Sequence, residues 1–266
     1  MSCNSYHKII AFDLDETLGS FSELGALWDT LCVIYNTEPS NEHFFKVLDI
    51  FPSFLRPNIL AILNALVHAR QSGKCLGIVL YTNNQGPKKW ARLISDYFDY
   101  KLKTKVFDLI INAYKVHKRV VEPLRTSHDK NYDDLMRCTH LSHTTRVCFI
   151  DDQYHTLSTE PNVLYIPVDP YIHKPNVYMV AQKYHEVIKP NIPLDVFTKK
   201  METELGSSWK KKGSPLEEIG PSHFRLITGL ETFLGNSLNH TRKKKKKSTR
   251  RTRKKKKKRR QSKRQL

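Results

Sequence analysis

The 266-residue sequence lacks any apolar run approaching the roughly 20 residues that a membrane-spanning helix needs. Its first ten residues, MSCNSYHKII, contain no apolar stretch long enough for a signal peptide. The five cysteines are scattered without a CxxC pair, and the histidines lack HxxxH and HExxH spacing, so we assign the histidines no ligand role. These absences lead us to expect a soluble intracellular protein with reduced thiols and no membrane partner.

Acidic residues are absent from the C-terminal tail, residues 241–266, which carries 18 lysines and arginines and no apolar residue before Leu266. Removing these 18 from the chain's 45 basic residues leaves 27 against 26 acidic ones, so the body is nearly neutral. Such a tail cannot bury enough surface to fold alone, and we expect it to be disordered.

Clustered lysine and arginine side chains gain free energy by releasing counterions from nucleic acids. We therefore predict that the tail 241–266 binds nucleic acid and that the protein is nuclear or associated with nucleic acid. A solvated tail that only aids solubility is the alternative.

Apolar runs without polar alternation predict buried parallel strands at residues 8–12, 75–81, 146–150 and 162–168. Helical patterns lie between them, at residues 56–73, 87–98 and 131–138. Alternating strands and helices indicate an α/β fold, in which a mostly parallel, Rossmann-like sheet is flanked by helices.

Two regions depart from this alternation. Residues 19–54 contain two amphipathic helical patterns, and we interpret them as a small cap or insertion after the first strand. Later in the chain, helices are expected at 177–188 and 223–238, joined by a polar connection at 199–215. We accordingly predict a domain over residues 1–200, a helical extension over 201–240 and the tail.

Acidic, hydroxyl or amide side chains follow three of the predicted strands. Asp13 and Asp15 follow the first, Thr82 and Asn83 the second, and the pair Asp151–Asp152 the third. Ligands bind beyond the carboxyl ends of such strands. Carboxylates that meet there cannot all stay ionised without compensation, and a hard cation such as Mg²⁺ supplies it together with substrate phosphate oxygens.

Three motifs carry a resemblance to a known family. The first is DLDETL at 13–18, whose first five residues form a DxDxT motif. VLYTNN at 79–84 and VCFIDD at 147–152 follow it along the chain. In this order they resemble the motifs of the haloacid-dehalogenase superfamily, in the branch of the C-terminal-domain and NLI-interacting-factor-like protein phosphatases. The similarity spans roughly residues 6–170 and extends to variants of the family found in large DNA viruses.

The resemblance implies a role for each motif residue. Asp13 would be the nucleophile that forms an aspartyl-phosphate, and Asp15 the general acid and base. Asp151, Asp13 and the backbone carbonyl of Asp15 would hold Mg²⁺, with Asp152 assisting through water. Thr82, with Asn83 beside it, would bind the phosphoryl group.

The family also uses a lysine that balances charge on the phosphoryl group. We choose Lys130, because it directly precedes the predicted helix at 131–138. Lys118 and Lys115 are the alternatives.

The sequence thus predicts a Mg²⁺-dependent phosphatase whose partner is a phosphorylated macromolecule. A phosphoserine or phosphothreonine protein is our first choice of substrate. The phosphorylated end of a polynucleotide is the alternative, and a non-catalytic, nucleic-acid-associated protein of the same fold is the other class to be tested.

Truncation after His240 tests the tail. Turnover of a small phosphate ester should be unchanged, because no family motif lies beyond about residue 170. Affinity for DNA or RNA should collapse and its steep salt dependence should flatten, since that slope counts phosphates neutralised by lysine and arginine. Filter binding over a salt series measures this, and binding that survived truncation with its slope intact would place the nucleic-acid surface on the body.

Overall fold

The structure, a computed structural model, describes residues 7–86, 89–206, 209 and 220–235. The basic tail 241–266 lies outside the described residues. The elements in chain order are β1 Lys8–Phe12, α1 Phe21–Tyr35, α2 Asn41–Ile50, α3 Ile59–Gln71, β2 Gly77–Tyr81, α4 Lys89–Leu102, β3 Leu109–Ile111, β4 Lys115–Val116, β5 Arg119–Val120, α5 Tyr132–Thr139, β6 Arg146–Asp151, β7 Val163–Pro167, α6 Val177–Ile188, α7 Leu194–Leu205 and α8 Pro221–Leu234.

A five-stranded sheet forms the centre of the fold, with the order β3-β2-β1-β6-β7. All four pairings in it are parallel. Helices flank the sheet, which confirms the predicted α/β, Rossmann-like architecture. The short strands β4 and β5 form a separate antiparallel pair. No helix in the described ranges is long and apolar enough to cross a membrane.

Side-chain alternation along β1 divides the core in two. Ile10 and Phe12 lie in the larger apolar cluster, with the helices of the insertion, while Ile9 and Ala11 lie in a smaller cluster with α5. Because every residue of β1 after Lys8 is buried, both faces of the strand are apolar. Cys75 and Cys148 are buried core residues without disulfides, as the apolar runs around them suggested.

The insertion at 19–54 contains α1 and α2, as the sequence predicted. The prediction of a polar connection at 199–215 is wrong in its first part, because α7 continues to Leu205. Phe197, Met201 and Leu205 are fully buried at intervals of four residues, and this spacing was the missed helical signal. The boundary predicted at residue 200 therefore falls inside a helix.

Asp134 anchors the first turn of α5 to the loop before it. Its buried carboxylate accepts hydrogen bonds from the Thr126 amide at 2.8 Å, the Asn131 side chain at 2.9 Å and the Arg137 guanidinium. Burial raises the pKa of Asp134, but these donors outweigh burial and hold the pKa below its usual value. The loop that ends in Lys130 is thereby fixed to α5.

Asp134→Asn should destabilise the fold by about 1–3 kcal/mol at pH 7, since the amide offers a donor where donors already converge. A group with a lowered folded pKa stabilises above its unfolded pKa of about 3.9 and loses that effect as pH falls through the folded value. The deficit should therefore shrink in acid, as measured by urea denaturation over a pH series. Asp133→Asn, at the exposed neighbour, is the control and should change stability by less than about 0.5 kcal/mol.

Candidate active site

Strand register brings the predicted site residues to one edge of the sheet. Phe12 pairs with Ile150 of β6, and the Asp13 amide donates to the Ile150 carbonyl at 2.9 Å. Phe12 also pairs with Leu80 of β2, two residues before Thr82. Parallel strands end at the same edge, so the first, second and third motifs meet there.

Lys130 lies between two of these carboxylates. Its ammonium group donates to Asp13 Oδ1 and, at 2.7 Å, to Asp151 Oδ2. The lysine side chain is only 1% exposed. Burial alone would lower the pKa of Lys130, but the two carboxylates outweigh burial and raise it, so the lysine is held as a cation.

Asp13, Asp151 and Asp152 form an acidic cluster in which one ligand atom from each lies within 4.8 Å of the others. Burial raises the pKa of Asp151, and burial followed by repulsion from Asp13 raises that of Asp152. Lys130 pairs with two of the three carboxylates, so a single lysine faces a cluster of three acidic groups. Carboxylate oxygens at this spacing fit a hard divalent cation such as Mg²⁺.

Asp15 stands apart from this cluster. Its Oδ2 accepts a 2.7 Å hydrogen bond from the Asn84 side chain, while its Oδ1 is buried without a hydrogen-bond partner among the described residues. Burial, followed by repulsion from Asp13, raises the pKa of Asp15 to about 7. A carboxyl group in this state can exchange a proton near neutral pH.

The loop after β1, residues 13–17, is held in a fixed shape. Glu16 has a φ of 58°, which is uncommon for a residue other than glycine. The Glu16 carbonyl accepts from the Arg56 guanidinium at 2.6 Å and from the Tyr171 amide at 2.9 Å. Thr17 donates to Asp152 Oδ1 at 2.9 Å, and the Asp152 amide donates back to the Thr17 hydroxyl at 3.0 Å. The loop and the end of β6 are thus tied together.

Thr82 is buried at the end of β2, and its hydroxyl accepts the Asn84 amide N–H at 2.9 Å. The Asn83 side chain is engaged elsewhere, because it donates to the His128 carbonyl and accepts from Arg125, both at 2.8 Å. It is Asn84, rather than Asn83, that contacts a predicted catalytic carboxylate.

Arg125 holds the loop after β2, which contains Thr82 and Asn83, in place. Its guanidinium donates to the carbonyls of Thr82 at 3.0 Å and Asn112 at 2.8 Å, and lies 4.7 Å from the centre of the Tyr81 ring. The residue is only 2% exposed. Sequence reasoning missed Arg125, because no periodicity or motif distinguishes it from the other basic residues.

His155 lies beside the ion pair of Lys130 and Asp151. Its Nδ1 is 3.1 Å from Asp129 Oδ1, and its Nε2 is 3.7 Å from Asp151 Oδ2. Burial, reinforced by Lys130, lowers the pKa of His155, which favours the neutral ring. The spacing of four residues after Asp151 was the available signal, but the histidines were assigned no role in the sequence analysis.

The alternative lysines lie in the β4–β5 hairpin. Lys115 is partly buried against the Tyr114 ring, 4.7 Å from its centre, and Lys118 is exposed. Neither forms an ion pair with a described residue, whereas Lys130 contacts two of the predicted site carboxylates.

Comparison with known proteins adds no family assignment. No family model matches the chain, and no curated protein is significantly similar to it.

Lys130→Met should destabilise the protein by about 3–5 kcal/mol at pH 7, because it leaves two buried carboxylates without their cation. Urea denaturation measures the change. Lys118→Met is the matched control, since it removes an exposed lysine and should alter stability by less than about 0.5 kcal/mol. Equal stability of Lys130→Met and the unmodified protein would mean that this buried ion pair makes no net contribution.

Proposed function

We propose that this protein is a Mg²⁺-dependent phosphoric monoester hydrolase of the haloacid-dehalogenase type, acting through an aspartyl-phosphate. The contact of Lys130 with both Asp13 and Asp151 carries the proposal. In this proposal Asp13 is the nucleophile, the Lys130 cation offsets its charge, and Asp15 lies two residues after it. The three motifs at the strand ends support the same assignment.

In the first step, an oxygen of the Asp13 carboxylate attacks phosphorus and the bond from phosphorus to the ester oxygen breaks. Protonated Asp15 gives its proton to the departing oxygen. Lys130 offsets negative charge on Asp13 and the phosphoryl oxygens, and the Thr82 hydroxyl donates to one of those oxygens.

In the second step, Asp15 accepts a proton from a water molecule that attacks the same phosphorus. The bond between phosphorus and Asp13 then breaks, which releases phosphate and restores the carboxylate. The raised pKa of Asp15 is suited to both proton transfers, since a group that titrates near neutral pH can act as acid and then as base.

The side chains of Asp13, Asp151 and Asp152, with the Asp15 backbone carbonyl, would hold the cation. Bound Mg²⁺ would neutralise charge on the phosphoryl oxygens. Thr17 keeps Asp152 in place through their paired hydrogen bonds.

A phosphorylated protein side chain is the preferred substrate, and the phosphorylated end of a polynucleotide is the alternative that the basic tail favours. A non-catalytic nucleic-acid-associated protein would show no Mg²⁺-dependent phosphate release across a broad substrate panel. That panel separates the classes of function.

Asp13→Asn should lower turnover of an aryl phosphate by at least about a thousandfold, since an amide cannot form the aspartyl-phosphate. Phosphate release with Mg²⁺, and after its removal by a chelator, is the measurement. Asp195→Asn, on the exposed side of α7, should retain full turnover. Wild-type turnover in Asp13→Asn, with a circular dichroism spectrum unchanged from that of the unmodified protein, would refute the assignment of the nucleophile.

A further inference from the structure

A groove of about 760 Å³ lies between α1 and α4 and begins beside the candidate active site. Asn84 and Gly86 line its near end, and the Asn84 side chain donates the 2.7 Å hydrogen bond to Asp15. Its volume falls within the range of ligand-binding pockets. A substrate whose phosphate reached Asp13 would therefore place its neighbouring groups in this groove.

One face of α1 forms a wall of the groove. Ser22, Gly25, Ala26 and Asp29 all line it, and their spacing of three, four and seven residues puts them on one side of a helix. Leu93 of α4 lies among the lining residues opposite. The small side chains on α1 leave room for an aliphatic group.

The aromatic residues of the groove offer little ring surface. Trp28 and Trp90 are 5% and 7% exposed, and the Trp90 ring already packs edge-on to Phe44 at 5.4 Å. Single-stranded nucleic acids bind to proteins largely by stacking bases on exposed aromatic rings. This lining lacks such a platform among the described residues.

The charge of the groove lining also distinguishes a peptide from a nucleic acid as its ligand. Asp29 and Glu38 line the groove, both residues are exposed, and neither carboxylate has a hydrogen-bond or ion-pair partner among the described residues. Partial burial raises the pKa of Asp29, and no cation among the described residues pairs with its carboxylate to offset this. Lys89 is the one basic side chain in the described lining of this groove.

The groove continues into a second depression of about 460 Å³, which shares Glu38, Lys89 and Leu93 with it. Arg92 lies there, but it is 3.9 Å from Asp96, one helical turn along α4. Backbone phosphates of an oligonucleotide would approach unpaired carboxylates along this path, whereas a peptide with a basic side chain would neutralise them.

The length of α1 sets the distance between the active-site end of the groove and Asp29. Ser22 lies in the first turn of α1, and Asp29 lies seven residues further, which is about 10 Å along a helix. An extended peptide covers that distance in about three residues.

We infer that the groove binds the peptide around a phosphorylated residue, taking an aliphatic side chain beside the phosphate and a lysine or arginine about three residues away. This inference rests on the proposed phosphatase function and names its substrate class as a phosphoprotein.

The test compares phosphoserine peptides that carry arginine at each position from three before to three after the phosphoserine, with alanine at the same positions as reference. Arginine about three residues away, on one side, should raise kcat/KM. Asp29→Asn and Glu38→Gln should each cut that advantage about two- to fivefold, as expected for an exposed ion pair. Glu186→Gln on α6, which does not line the groove, is the matched control and should leave it intact.

Reversing the charge at Asp29 provides a second test. Asp29→Lys should prefer peptides with glutamate where the unmodified protein prefers arginine. All of these variants should hydrolyse an aryl phosphate as fast as the unmodified protein, because the ester does not reach Asp29. Turnover that did not depend on peptide charge, or a preference for phosphate-ended oligonucleotides that Asp29→Asn left unchanged, would overturn the inference.

Failure of the proposed function gives a different result. The unmodified protein would then release no phosphate from the aryl ester, which does not depend on the groove. Calorimetric titration of the same peptides into Asp13→Asn measures binding without turnover. Equal affinity for the arginine and alanine peptides in that titration would overturn the groove assignment by itself.

Discussion

The buried ion pairs of Lys130 with Asp13 and Asp151 are the interaction on which the site depends. Two carboxylates at the ends of neighbouring strands would repel each other in a region that solvent barely reaches. The lysine compensates both and needs a loop that enters the sheet edge from the start of α5. Asp134 fixes that loop to the helix, so the stability of α5 and the geometry of the site are coupled.

A second constraint joins the insertion to the same edge. Arg56 lies between the insertion and α3, and its guanidinium donates to the carbonyls of Glu16 and Asp169. It therefore links the loop after β1 to the segment after β7. The loop after β1 leads into α1, which forms one wall of the groove, so Arg56 holds the chain just before that wall begins.

The sequence predicted the elements that have strong local patterns. Apolar runs identified β1, β2, β6 and β7, and helical spacing identified α3, α4 and α5 to within a few residues. It missed β3, whose three residues LII are too short for a pattern, and it missed α7, whose apolar residues are diluted by charged ones. Short edge strands and narrow apolar stripes depend on neighbours for burial, so local composition identifies them poorly.

By itself, the sequence determined the α/β architecture and which strand ends carry carboxylates, because burial and motif chemistry are local properties of the chain. Tertiary structure decided among the three candidate lysines, bringing Lys130 rather than Lys115 or Lys118 to the carboxylates, and it alone decided that Asn84 rather than Asn83 reaches Asp15. It also brought Arg125 and His155 to the site and opened a groove between two helices far apart in the chain. These features arise where separate segments converge, and the packing of loops and helices around the sheet edge, not residue type, determines which side chains meet there.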